Sequence, residues 1–210
     1  PAVAASPAME PHLEAVQVQL RESPGGALTE RWLVTSPEYH MKRLLSAGAS
    51  RIYQIGKAFR GGETGRHHNP EFTMLEWYRA FDDVEQGILD AVDVVCTAAR
   101  TTRGTLAIPH QGTTIDLSPP WPRWTIRAAI QEWAGFDPDP GISLEVLRER
   151  ASHAGIGLDA EDRERADILV RTLVERVEPA LPRDRPVILH DYPRCLASLA
   201  RCKPGAPEIA

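Results

Sequence analysis

The sequence predicts an α+β domain with a mainly antiparallel β-sheet flanked by helices, and three observations carry that prediction. Short segments of alternating apolar and polar residues come in pairs joined by Gly-rich turns. Longer segments repeat their apolar residues at helical spacing. Proline, 18 of 210 residues, clusters at 1–11, 118–122, 137–140 and 179–186 and divides the chain into blocks. Residues 15–20 and 31–35 are the first two strands, around the turn Ser23-Pro24-Gly25-Gly26. Ser36-Pro37-Glu38 then opens a helix, with Ser36 at the cap and Pro37 in the first helical position; Tyr39, Met41, Leu44 and Leu45 follow, and Gly48 stops it. Residues 52–60 read as a strand running into the turn at 61–65, and 72–78 as its return. Because strand side chains alternate, Phe72, Met74, Glu76 and Tyr78 share one face, and Thr73, Leu75 and Trp77 the other. Residues 84–100 carry a helical apolar period, and 105–108 with 114–117 form a small hairpin across Pro109-His110-Gln111-Gly112. Helices follow at about 125–134, 143–155 and 160–177, the second starting at Ser143 with Glu145 in its first turn, and 187–193 is a last strand. Residues 1–210 are thus expected to form one domain, with a mostly helical insertion at about 118–182.

Charge and composition exclude several classes. Twenty-four Lys and Arg against 29 Asp and Glu give 24 − 29 = −5, a poor balance for a chain that coats nucleic acid or anionic membrane. No apolar run approaches the ~18 residues of a membrane helix, and residues 1–14 lack the basic-then-apolar order of a signal peptide. The expectation is a cytoplasmic protein. Cys96, Cys195 and Cys202 are odd in number and scattered, so neither a disulfide framework nor a zinc knuckle is expected.

Two groups of residues draw attention. The segment 59–71 packs Arg60, Glu63, Arg66, His67, His68 and Asn69 around glycines between two apolar strands. Guanidinium groups grip phosphate oxygens in bidentate fashion, so the segment is either a polyphosphate-binding loop or an ordinary solvated hairpin loop. It matches neither GxxxxGK[ST] nor GxGxxG, so any phosphate grip falls to side chains. Glu76, beside Tyr78 on a mostly apolar strand, either faces a lined cavity and binds a cation or hydrogen-bond donors, or lies at a strand edge in water. Glu38 begins a helix, where acids are favoured anyway. His67 and His68 point opposite ways in an extended segment and have no third partner at ligand spacing, so no metal site is expected. His190-Asp191 occurs without a GxSxG elbow, and Trp121, Trp124 and Trp133 read as packing residues.

Taken together, Thr35-Ser36-Pro37-Glu38-Tyr39-His40-Met41-Lys42-Arg43-Leu44-Leu45, Phe59-Arg60 and His68-Asn69-Pro70-Glu71-Phe72-Thr73-Met74-Leu75-Glu76-Trp77-Tyr78-Arg79 resemble motif 2 of the class II lysyl-tRNA synthetases. They look most like the GenX/PoxA type, the synthetase paralogue that acts as elongation factor P–(R)-β-lysine ligase. The resemblance covers 1–45, 52–100 and 187–200, and Pro1 is similar to the proline that closes motif 1. It implies a class II synthetase catalytic fold and ATP-dependent formation of an aminoacyl-adenylate from lysine or (R)-β-lysine. The aminoacyl group then moves to a lysine of elongation factor P. By the same resemblance Arg60 bridges the α-phosphate and the substrate carboxylate. Arg66, His68 and Asn69 belong to the phosphate-binding loop, and Phe72 stacks on adenine. Glu38 meets the substrate's amino group, while Glu76 and Tyr78 form the far end of the lysine pocket. Mg²⁺ accompanies ATP in that family, and the complete form is expected to be a homodimer.

The chain departs from the pattern at Gly61-Gly62, where the family reads Asn-Glu, leaving Glu63 as the neighbouring stand-in. The pattern's motif 1 helix and motif 3 are not in these 210 residues. The fold is therefore expected to be incomplete at both ends, and the chain alone to bind ATP weakly or not at all and to turn over poorly. Two other functions compete with the ligase: a lysyl-tRNA synthetase core, which the acidic balance disfavours, and a catalytically impaired synthetase-like remnant.

Overall fold

A Ser-Pro-Gly-Gly turn sets the register of the first strand pair. Gly25 sits at φ 76°, which only glycine adopts without strain, and the Gly26 N–H donates to Ser23 O at 3.0 Å. From this turn β2 (Gln17–Arg21) and β3 (Leu28–Leu33) run antiparallel, from Gln17 opposite Trp32 to Arg21 opposite Leu28. A short β1 (Val3–Ala4) pairs with the other edge of β3, giving the order β1-β3-β2. The strand expected at 31–35 begins earlier and ends at Leu33, because Thr35 and Ser36 already turn toward the helix α1 (Glu38–Ser46). Pro37 stands at the cap position of α1 (φ −77°, ψ −1°), one residue before the place expected for it, and Gly48 beyond the helix end lies at φ 101°. The hairpin β4 (Arg51–Phe59) and β5 (Glu71–Arg79) is antiparallel along its length, from Arg51 opposite Arg79 to Phe59 opposite Glu71. Ala58 on β4 is fully buried, as nearly is Met41 on α1, whereas Tyr53, Ile55 and Leu75 lie exposed on the opposite face of the hairpin.

This is the computed structural model of the protein; it describes residues 1–7, 13–62 and 64–210, and Glu63 lies outside the described residues. The elements so far belong to one compact unit, Pro1–Val84; a second spans Glu85–Ala210.

The second unit is mostly helical. The long α2 (Val84–Arg103) buries Cys96 and Ala99, and the Cys96 thiol donates to Leu117 O at 3.3 Å. All three cysteines are free. The hairpin β6 (Ala107–His110) and β7 (Thr113–Asp116) is joined by Gln111 and Gly112, both at positive φ (46° and 83°), as a two-residue hairpin loop favours. A three-residue strand, β8 (Arg123–Thr125), pairs in parallel with β9 (Ile188–His190). β8 is too short to show an alternation, and β9 is shorter than the strand expected at 187–193.

Helix α3 (Ile126–Ala134) is capped by Thr125 Oγ1, which accepts from Ala128 N at 3.1 Å, and α4 (Leu144–His153) by Ser143. The helix expected over 160–177 starts only at Arg165, as α5 (Arg165–Thr172), then continues as a π-turn (Leu173–Val177) and α6 (Glu178–Ala180). The reason lies in Asp162, whose carboxylate accepts from Asp159 N at 2.7 Å and from Arg171 Nε at 3.0 Å and so holds the chain in a loop. Glu164 and Asp167 then form a capping box. Ile126, Ile130, Leu147, Ile168, Leu169 and Val177 make the core, against which Trp124 and Trp133 pack with ring centroids 4.8 Å apart. Among the described residues no helix is long and apolar enough to cross a membrane.

Leu147 is fully buried at the centre of this core. Truncating it leaves a cavity, so Leu147→Ala is expected to destabilise the unit by about 3 kcal/mol in urea unfolding; a loss under about 1 kcal/mol contradicts its central place.

A second prediction concerns acid. Arg127 grips Asp137 with Nε and Nη2 at 2.7 and 2.6 Å. That hydrogen bond, more than any other influence, holds the Asp137 carboxyl below its usual range. A depressed carboxylate contributes stability above its unfolded value and loses it as pH falls through the folded one. The Tm difference between wild type and Asp137→Asn is therefore expected to be present at neutral pH and to shrink below about pH 4. A difference independent of pH contradicts the pairing.

Candidate active site

The Thr35-Ser36-Pro37-Glu38 corner and the β4–β5 hairpin bring most of the sequence-predicted residues into one unit. Glu76 lies opposite Gln54 on the half-buried face of β5 that also carries Phe72, Met74 and Tyr78. Its carboxylate is held from two sides: Ser36 Oγ donates to Oε1, and the Tyr78 hydroxyl donates to Oε2 at 2.9 Å. Ser36 also accepts from Glu38 N at 3.0 Å. One hydroxyl thus ties the start of α1 to the middle of β5, using both its donor and its acceptor capacity. The clamp fixes where Glu76 points but leaves the carboxylate's remaining lone pairs available for a further donor. Glu38 accepts from Lys42 Nζ at 2.5 Å, one helical turn on. Any further cation reaching Glu38 therefore has to share it with that lysine.

Arg60 follows the last residue of β4. Its backbone N–H donates to Pro70 O at 2.9 Å, and its Nε donates to Thr35 O at 3.4 Å. Its Cζ lies 5.2 Å from the centroid of the Phe72 ring, within cation–π range. Arg60 and Phe72 are therefore neighbours in space, at the loop end of the hairpin, while Glu76 and Tyr78 lie further along β5. Glu76 lies four positions along the strand from Phe72, about 13 Å at the usual rise. The loop itself tightens at Gly65 and His68, which exchange backbone hydrogen bonds at 3.1 and 3.3 Å. Arg66, His67, His68 and Asn69 are exposed around that tip. They face solvent beyond Arg60, and among the described residues His67 and His68 are not brought to a common partner. Glu63, the sixth loop residue singled out in the sequence, lies outside the described residues. Among the described residues no group of three or more His, Cys, Asp or Glu side chains is arranged to hold a metal ion.

Two residues entered the site unannounced. Ser36 reads in the sequence as a helix cap, and nothing local reveals that its hydroxyl also reaches residue 76. Thr35 supplies the carbonyl for Arg60, and its own Oγ1 is buried with no hydrogen-bond partner among the described residues. His190 and Asp191 do contact each other at 2.8 Å, but Lys203 Nζ also lies 2.5 Å from that Asp191 oxygen, and the trio belongs to the other unit.

The antiparallel hairpin thus carries a guanidinium and an aromatic ring near its loop end and a clamped carboxylate further along β5. The chain matches the family described as tRNA synthetases class II (D, K and N) over residues 14–206 and belongs to it. Among its relatives, the elongation factor P–(R)-β-lysine ligase of Haemophilus influenzae strain PittGG is 36% identical over 190 residues, covering 85% of this chain and 50% of that protein. The protein of the same name from Erwinia tasmaniensis is 34% identical over 216 residues, 100% of this chain and 59% of that one. A lysine–tRNA ligase of Moorella thermoacetica is 37% identical over 174 residues, covering 82% of this chain and 35% of that protein. The chain thus spans about half the length of the ligases it matches, and about a third of the tRNA ligase.

Proposed function

We propose that this chain carries the amino-acid-activating site of an ATP-dependent ligase that attaches lysine or (R)-β-lysine to a lysine side chain of elongation factor P. The observation that supports it most is the carboxylate of Glu76, held by Ser36 and Tyr78 on the same hairpin that ends in Arg60 and Phe72. That spacing suits an aminoacyl-adenylate, with a side-chain ammonium at one end and an adenosine at the other. In the first step a carboxylate oxygen of the amino acid attacks the α-phosphorus, and the bond to pyrophosphate breaks. Arg60 faces the charge that grows on the phosphoryl oxygens. In the second the acceptor amine attacks the acyl carbon, and AMP leaves with the bonding pair. Arg66, His68 and Asn69 are assigned to the pyrophosphate end, Phe72 to the adenine face, and Glu38 to the substrate's reacting-end amine. Glu63 stays in the nucleotide set on the resemblance alone. Mg²⁺ enters as the companion of ATP rather than as an ion caged by these side chains, and no step is assigned to it. A homodimeric, cytoplasmic protein and a single domain over 1–210 with its helical insertion are part of the same reading.

The relatives named lysine–tRNA ligases support a second acceptor, tRNA. Incubating the protein with labelled lysine or (R)-β-lysine, ATP, and either elongation factor P or tRNA separates the two. Label on elongation factor P alone is the expected result; charged tRNA overturns the choice of acceptor.

A further inference from the structure

The carboxylate of Glu14 occupies space that side chains at residues 61 and 62 would otherwise take. Glu14 and Gly61 form an antiparallel bridge, with the Gly61 N–H donating to Glu14 O at 2.8 Å. A Cβ on Gly61 would stand 3.1 Å from Glu14 Cδ and 3.2 Å from Oε1. One on Gly62 would stand 3.0 Å from Oε2, at a backbone φ of 70° that itself favours glycine. The two glycines thus admit a carboxylate, brought from a segment almost fifty residues earlier in the chain, to the position next to Arg60. Glu14 is exposed, and among the described residues its carboxylate has no ion pair.

An acceptor-only group here has few partners in the ligand. It repels phosphates. The substrate's ammonium ends are assigned to Glu38 and Glu76. What remains at the end marked by Arg60 and Phe72 is the nucleoside, whose strongest exocyclic donor is the amine of adenine. We infer that Glu14 accepts a hydrogen bond from that amine and so selects adenine over bases that present a carbonyl there; this rests on the adenylation reading above. Glu14 is thereby a specificity-determining residue, and Gly61-Gly62 is the cradle that lets it in.

The test compares ATP with ITP, whose base carries a carbonyl where adenine has its amine, by titration calorimetry on the wild-type protein, Glu14→Gln, Glu14→Asp and Arg60→Ala. The wild type is expected to prefer ATP by about ten-fold, the effect of leaving one polar group unpaired in a binding site. Glu14→Gln keeps the backbone bridge and side-chain shape but loses the charge and offers an amide donor to the ITP carbonyl. Its preference is expected to fall to within about two-fold, with ITP bound no more weakly than by the wild type and Glu14→Asp intermediate. Full ATP preference in Glu14→Gln overturns the role of Glu14 and leaves adenylation standing. Wild-type binding of neither nucleotide, or nucleotide binding that ignores Arg60→Ala, overturns the adenylation reading and Glu14 with it.

Discussion

Replacing Arg60 by alanine is expected to lower amino-acid-dependent ATP–pyrophosphate exchange by about three orders of magnitude, the scale of removing a group aimed at developing transition-state charge. The side chain is well placed to act. It leaves β4 at its end, rests over Phe72 at 5.2 Å, and reaches the Thr35 carbonyl at 3.4 Å, a long contact that a phosphoryl oxygen can outcompete. Arg60 is half-buried, and losing its cation–π contact costs about 1 kcal/mol of stability. Arg60→Lys sharpens the test, because lysine keeps the charge but not the planar fork that grips two oxygens. It is expected to recover only a part of the lost rate. Exchange within about two-fold of wild type in Arg60→Ala, with melting unchanged, removes Arg60 from the reaction.

Glu76→Gln is expected to raise KM for the amino acid by about 30–100-fold while kcat changes little. The substitution preserves size but deletes the charge and turns one of the two clamped acceptors into a donor, so that one of the hydroxyls has to accept instead of donate; truncating one member of a desolvated charge pair costs a few kcal/mol. Ser36 and Tyr78 bear on the same carboxylate, so Tyr78→Phe, which removes one clamping donor, is expected to raise KM by several-fold. The two changes should not add, since each acts through one carboxylate. An unchanged KM in Glu76→Gln removes Glu76 from the substrate pocket.

How much of this was legible beforehand follows from the range of each signal. Side-chain alternation along β5 is local, so the shared face of Phe72, Met74, Glu76 and Tyr78 follows from the sequence, and the structure has Tyr78 donating to Glu76. The stop at Gly48 and the Ser143 cap are equally local. The Ser36–Glu76 bond spans 40 residues, and no pattern near either residue reports it. β8 is three residues paired in parallel with a strand more than sixty residues on, a pairing that a periodicity cannot show. The late start of α5 depends on Asp162 accepting from both Asp159 and Arg171, a tertiary contact overriding helix propensity. Glu14 hides in the same way, since its bridge to Gly61 is a long-range contact that no local pattern reports.

The measurement that bears most directly on the central claim is ATP–pyrophosphate exchange by the protein carrying this sequence, run with no amino acid, with lysine, and with (R)-β-lysine. Exchange is expected to depend on one or both of these amino acids and to disappear in Arg60→Ala. Exchange absent with both, in a sample that melts cooperatively, contradicts an amino-acid-activating site.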